Sequence, residues 1–135
     1  MNSCPVQRSV ALSFRGFELS PKQVELLIGQ SATERGAINE PVKPGVKALL
    51  KRSYVKYEFA VPNGCRLDEM ILLLFSQLGG GRHLMSVKDQ VIPEIVEVDI
   101  VLYVKKSEEQ EGGFLAPSTL LELSQLGAKL SFQFL

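Results

Sequence analysis

Tryptophan is absent from this sequence, histidine occurs once, at His83, and cysteine twice, at Cys4 and Cys65. A lone imidazole with no nucleophile, second ligand or carboxylate beside it in sequence builds neither a nucleophilic dyad nor a histidine metal site. The cysteines stand far apart and neither belongs to a Cys-x-x-Cys pair, so the spacing of a zinc or thioredoxin-like centre is missing. They read as free thiols of a reducing cytosol, with a Cys4–Cys65 disulfide as the alternative. An excess of one charge is lacking too. Lysine plus arginine and aspartate plus glutamate both number 15, and a formal net charge of +0 supplies no global pull toward nucleic acid, anionic lipid or acidic substrates. The longest apolar run, Met70 to Phe75, is far shorter than the about 20 residues that cross a bilayer. No charged region followed by an apolar run and cleavage site opens the chain. The expectation is a cytoplasmic protein with no membrane partner, whose electrostatic roles are confined to local patches.

What is there suffices for one domain over residues 1–135: a chain of this length that is 45% hydrophobic can bury roughly two-thirds of its unfolded surface. Val6 to Arg15 alternates, with Val6, Val10, Leu12 and Phe14 on one side, and reads as a strand buried on one face. Ser20 then caps a helix that starts at Pro21, with Gln23 completing a capping box and Gly29 ending it. Gln30 to Gly45 reads as polar loop. Tyr54 to Val61 is a second strand, Leu67 to Leu78 a helix stopped by Gly79-Gly80-Gly81, and His83 to Gln90 a short helical piece. Ile95 to Lys105 forms a third strand, and Lys105 to Gly113 a charged loop. A helix from Pro117 to Gly127 and a closing strand with Leu130, Phe132 and Phe134 inward complete the chain. Each strand has one apolar and one largely polar side, which predicts a two-layer α+β sandwich: a four-stranded, largely antiparallel sheet with helices on one face, ferredoxin-like or related. Gly16-Phe17-Glu18-Leu19-Ser20-Pro21 is echoed by Gly113-Phe114-Leu115-Ala116-Pro117, and the echo predicts an internal pseudo-repeat, the alternative being shared cap chemistry at two helix starts.

Few constellations rise above this frame. Ser53-x-x-Lys56 matches the acylating pair of penicillin-recognising enzymes, but on a strand positions three apart face opposite ways. Glu97 and Asp99 share one strand face with Glu94 near, a carboxylate pair that a solvated sheet face explains without catalysis. The triglycine lacks the Lys-Ser/Thr ending of a phosphate loop and reads as a helix stop, with an anion nest around Arg82 as the alternative. No catalytic, cofactor or metal residue is assigned. Lys43, Lys47, Lys51, Arg52 and Lys56 form a basic stretch interleaved with Val46, Leu49, Leu50, Tyr54 and Val55. It reads as an amphipathic turn that packs Val46, Leu49 and Leu50 and leaves its lysines wet, or else as a surface for nucleic acid or an acidic partner. The acidic run Glu108-Glu109-Gln110-Glu111 could pair with it across a homodimer. The open sheet face would display Arg15, Tyr54, Lys56, Val101, Tyr103, Lys129 and Leu135, aromatics flanked by cations as on an RNA-stacking platform, although Glu58, Glu97 and Asp99 would repel phosphates.

Gly112-Gly113-Phe114 followed by Leu120, Leu123, Leu126-Gly127 and Leu130-Ser131-Phe132, with Phe14, Leu19-Ser20-Pro21, Leu27, Gly29, Thr33 and Arg35-Gly36 upstream, resembles family 4279 of the bacterial domains of unknown function. The family's tryptophan near the start of the second strand is replaced here by Tyr54 or Tyr57. The resemblance implies a small bacterial cytosolic protein and transfers no activity. The functional expectation is a non-enzymatic protein-binding module, immunity-type in one version, whose partner surface comprises Lys47, Lys51, Arg52, Tyr54, Lys56 and Tyr103. The alternatives are RNA or single-strand binding through Lys47, Lys51, Arg52, Tyr54 and Lys56 with the open sheet face, and a small-ligand or enzymatic site that only the folded chain assembles.

Overall fold

The computed structural model describes residues 8–62, 64–102 and 113–135. The elements run β1 (Arg8–Arg15), α1 (Pro21–Ile28), β2 (Glu34–Gly36), β3 (Tyr54–Val61), α2 (Leu67–Gln77), α3 (Gly81–Val91), β4 (Ile95–Leu102), α4 (Pro117–Leu126) and β5 (Lys129–Phe134). They build an α+β architecture around one open sheet of order β2-β3-β1-β4-β5. The sheet therefore has five strands where four were expected. Pairing is antiparallel from β2 to β4, whereas β4 and β5 run parallel. The added strand, β2, is three residues of the stretch predicted to be loop; it pairs Glu34 with Lys56 and Gly36 with Tyr54. The parallel pair follows from α4 returning the chain across one sheet end, since parallel neighbours need such a crossover. The two halves expected from the echo, β1-α1-β3 and β4-α4-β5, each place their strands side by side but differ in direction: β1 and β3 pair antiparallel, β4 and β5 parallel.

Local chemistry sets the helix ends. Ser20 Oγ accepts from the Gln23 N–H at 3.1 Å and Gln23 Oε1 accepts from the Ser20 N–H at 2.9 Å, closing the capping box. Gly29 terminates α1 at φ 98°, a left-handed conformation that costs glycine nothing. α4 also begins with proline and ends on glycine, but its N-cap is Ala116, and the Ala116 N–H instead donates to Asp68 Oδ1 at 3.0 Å in the first turn of α2. Leu78 caps the end of α2, and Gly80, whose N–H donates back to Phe75 O at 2.7 Å, is the N-cap of α3, so the triglycine is a joint between two helices, and the short helical piece expected at His83 extends over Gly81–Val91.

β1, β3 and β4 alternate as the sequence predicts, whereas Phe132 and Phe134 of β5, expected inward, are exposed because the helical layer stops short of them. Val10, Leu12 and Phe14 of β1, Val55, Tyr57 and Val61 of β3, and Val96, Val98 and Ile100 of β4 are buried against Val24 and Ile28 of α1, Met70, Ile71 and Leu74 of α2, and Leu84 and Val87 of α3. Among the described residues no helix lies on the other sheet face. There the central strand carries Ala11 and Ser13, both nearly inaccessible although no helix covers them. Their register partners are Glu58 and Asp99 for Ala11, and Lys56 and Glu97 for Ser13, whose longer side chains close over these small ones. Residues 103–112, which hold Tyr103, the expected end of the third strand and most of the expected charged loop, lie outside the described residues, as do Cys4, Val6 and Gln7. No helix among those described is long and apolar enough to cross a membrane.

Candidate functional site

Between β2 and β3 the chain leaves the sheet as a hairpin. Asn39 N–H donates to Leu50 O at 2.9 Å, Leu50 N–H to Glu40 O at 2.8 Å and Val42 N–H to Ala48 O at 2.9 Å, and the tip is Lys43-Pro44-Gly45-Val46, closed by the Val46 N–H to Lys43 O bond at 3.1 Å. Proline at the second turn position and glycine at φ 80° at the third are what a type II turn requires. The root is fixed independently. Buried Ser53 accepts from the Ile38 N–H at 2.9 Å, Gly16 N–H donates to Ser53 O at 2.9 Å, and Arg52 Nε meets Glu94 Oε2 at 2.8 Å. Gly36 leaves a slot that the Tyr54 ring and the Leu50 methyl fill; a Cβ there would stand 2.5 Å from Leu50 Cδ1 and 2.8 Å from Tyr54 Cε1.

Every residue from Ile38 to Leu49 is exposed. The amphipathic turn expected to pack Val46 and Leu49 is therefore corrected: Val46 is 43% and Leu49 51% accessible, and only Leu50 reaches the body of the protein. Ile38 and Val42 are exposed as well, so four aliphatic side chains share a projecting arm with Lys43 and Lys47, and Lys51 stands exposed at its root. The arm's inner hydrogen bonds explain how this is tolerated: the backbone is satisfied by itself, and no core is spent on holding it.

The expected partner surface is thus divided. Lys47 and Lys51 belong to the arm, Arg52 is held by Glu94, and Tyr54 packs at the root. Lys56 lies on the bare sheet face, with Nζ 3.5 Å from Glu34 and 3.9 Å from Glu58. Tyr103 is outside the described residues. Sequence reasoning located the basic stretch and missed Ile38 and Val42 as its companions; the Lys-Pro-Gly-Val turn flanked by aliphatics was the available signal.

The bare sheet face is a chain of ion pairs. Arg15 reaches Glu97 at 3.2 Å, Ser131 Oγ donates to Glu97 at 2.8 Å, and Lys129 lies 3.9 Å from the same carboxylate. Among the described residues Asp99 has only Gln133 Nε2, at 3.4 Å. Partial burial, then the neighbouring Glu97 charge, pushes the Asp99 carboxyl above its ordinary range, while Lys56 opposes the shift. Glu97 is thus engaged in structural pairs, and the two carboxylates differ in environment without a cleft around them. Ser53 and Lys56 serve separate interactions, so the Ser-x-x-Lys match has no chemistry.

His83 lies in the first turn of α3 with Nε2 2.8 Å from Ile28 O, which ties α3 to the C-terminal end of α1, and Gly79 gives its ring room. No described group of three or more His, Cys, Asp or Glu gathers to hold a metal ion. A 290 Å³ hollow between α1 and β2 is bordered by Lys22, Gln30 and Arg35, and its buried carboxylate, Glu25, is already bound by Arg35 Nη1 at 2.7 Å and the Ala32 N–H at 2.6 Å. A 150 Å³ hollow beside Gly81 and Arg82 has Glu122 on its rim, a carboxylate where an anion nest would need its ligand. Cys65 is half-buried and forms no disulfide among the described residues. No protein-family model, no curated protein and no solved structure matches the chain.

Proposed function

We propose that this chain is a non-enzymatic protein-binding module that grips an acidic, partly apolar surface of another protein with the arm at residues 38–49. The observation that carries this reading is the arm itself: Ile38, Val42, Val46 and Leu49 stay exposed beside Lys43 and Lys47, on a hairpin that bonds across its own two strands and is anchored by the Ile38 N–H to Ser53. Aliphatic groups give a partner interface its apolar centre, and lysines around them favour a carboxylate-rich rim. An immunity-type role, in which the arm blocks a toxin, is the specific form of this proposal, and the family resemblance is consistent with it as analogy only.

Nucleic-acid binding is the second reading, favoured by the same lysines. The arm offers no aromatic ring for base stacking, the Tyr54 ring is occupied by its contact with Gly36, and Lys56 is paired with Glu34. The sheet order β4-β1-β3-β2, seen without β5, supports a ferredoxin-like core with α4 and β5 appended.

The deciding experiment isolates the tagged protein from its own host at low salt, beside a Lys43→Glu/Lys47→Glu/Val46→Asp variant. A stoichiometric protein that the wild type retains, salt releases and the variant loses supports the proposal. Nucleic acid in its place, or a protein retained equally by the variant, overturns it.

A further inference from the structure

The two edges of the sheet are protected very differently. β2 is three residues long, carries Glu34 and Arg35, and leads directly into the arm, features that discourage another strand from pairing. β5 is six residues long, has no proline, and has no charged side chain after Lys129. Leu135 N–H donates to Leu102 O at 2.8 Å and β5 runs parallel to β4, so alternate residues from Ser131 bond inward. The backbone groups of Leu130, Phe132 and Phe134 consequently point away from the sheet, with no partner strand among the described residues.

The side chains of those same three residues face the helical layer, and that layer stops short of them. Leu130 packs on the core, but Phe132 is 41% and Phe134 56% accessible, with their rings near-parallel at 6.2 Å. An unpaired backbone edge and an uncovered aromatic face therefore coincide on one strand.

We infer that β5 pairs antiparallel with β5 of a second copy about a two-fold axis at Phe132, joining two five-stranded sheets into one. The occupant is a second copy because the strand complements itself. Leu130 comes opposite the partner's Phe134 and Ser131 opposite the partner's Gln133, four phenyl rings meet on the helix side, and the two Lys129 side chains lie at opposite ends with no like charges facing. The phenyl surface available is about 200 Å² per copy, well below the roughly 800 Å² per partner of a stable interface. The ladder of main-chain bonds supplies the rest, and the dimer is a weak one, with Kd on the order of 10 µM. This site is separate from the arm and does not depend on its role.

Sedimentation equilibrium of the full chain over about 1–500 µM is the test. A monomer–dimer equilibrium that withstands added NaCl is expected. Phe132→Pro removes an outward N–H without touching the β4 ladder and should weaken dimerisation at least 30-fold; Phe134→Lys, which keeps the backbone donors, should weaken it at least tenfold. Lys47→Glu should change nothing. Far-UV circular dichroism confirms folding, and if Phe132→Pro fails to fold, Phe134→Lys decides alone. A monomer at all concentrations, a dimer that withstands both β5 substitutions, or one lost through Lys47→Glu overturns the inference.

Discussion

Asp99 and Tyr57 both hold their protons more tightly in this fold than in the unfolded chain. Burial and the Glu97 charge raise the Asp99 carboxyl, so its contribution to stability is fully present below the ordinary aspartate range and is lost as pH rises through the raised value. Asp99→Asn retains an acceptor for Gln133 and removes that loss. Its Tm should exceed that of the wild type by about 1–2 °C at pH 7, a gap kept small by solvent screening, and the two melting curves should converge near pH 3. The Tyr57 hydroxyl donates to Gln30 O at 2.8 Å, and burial, followed by the Glu25 charge, pushes the phenol above its usual range. Stability from this group is complete below about pH 10 and declines above it. Tyr57→Phe should cost about 1–2 kcal/mol in urea unfolding at pH 7 by orphaning a carbonyl, and should flatten the alkaline decline.

At the scale of the element, the helix entered through Ser20 tests whether its cap matters as the geometry indicates. Ser20→Ala should destabilise by about 1 kcal/mol, measured by urea denaturation, whereas Ala116, already alanine at the equivalent place in α4, depends on Asp68 for its N–H. Gly16 is less forgiving. At φ 77°, with a Cβ only 2.8 Å from the Glu94 carboxyl carbon, Gly16→Ala should cost about 1–3 kcal/mol and loosen the joint among β1, β3 and β4. These elements were legible because their signals are local: serine, proline and glycine mark α1, and alternation sets β3 at Tyr54–Val61. β2 was not legible, because Glu34-Arg35-Gly36 has no apolar alternation and exists as a strand only through β3. The parallel course of β5 was hidden for a related reason: Leu130, Phe132 and Phe134 alternate identically whichever way the neighbour runs.

For the whole molecule, the decisive question about the arm was whether its aliphatic residues are covered, and that is set by what the rest of the chain brings near them. Lys47 and Lys51 could be named from the sequence, whereas the exposure of Val46 and Leu49 could not. Removing residues 41–49 in favour of a two-residue turn should leave Tm within about 3 °C of wild type, since those residues contribute almost nothing to the core, while abolishing partner retention. Because the tip closes on its own carbonyls and the root is clasped by Ser53, Arg52 and Glu94, residues 41–49 are free to drift without penalty to folding. Under the proposed binding role, such a graftable finger would let a lineage retune its partner by swapping a few tip residues, leaving the scaffold untouched.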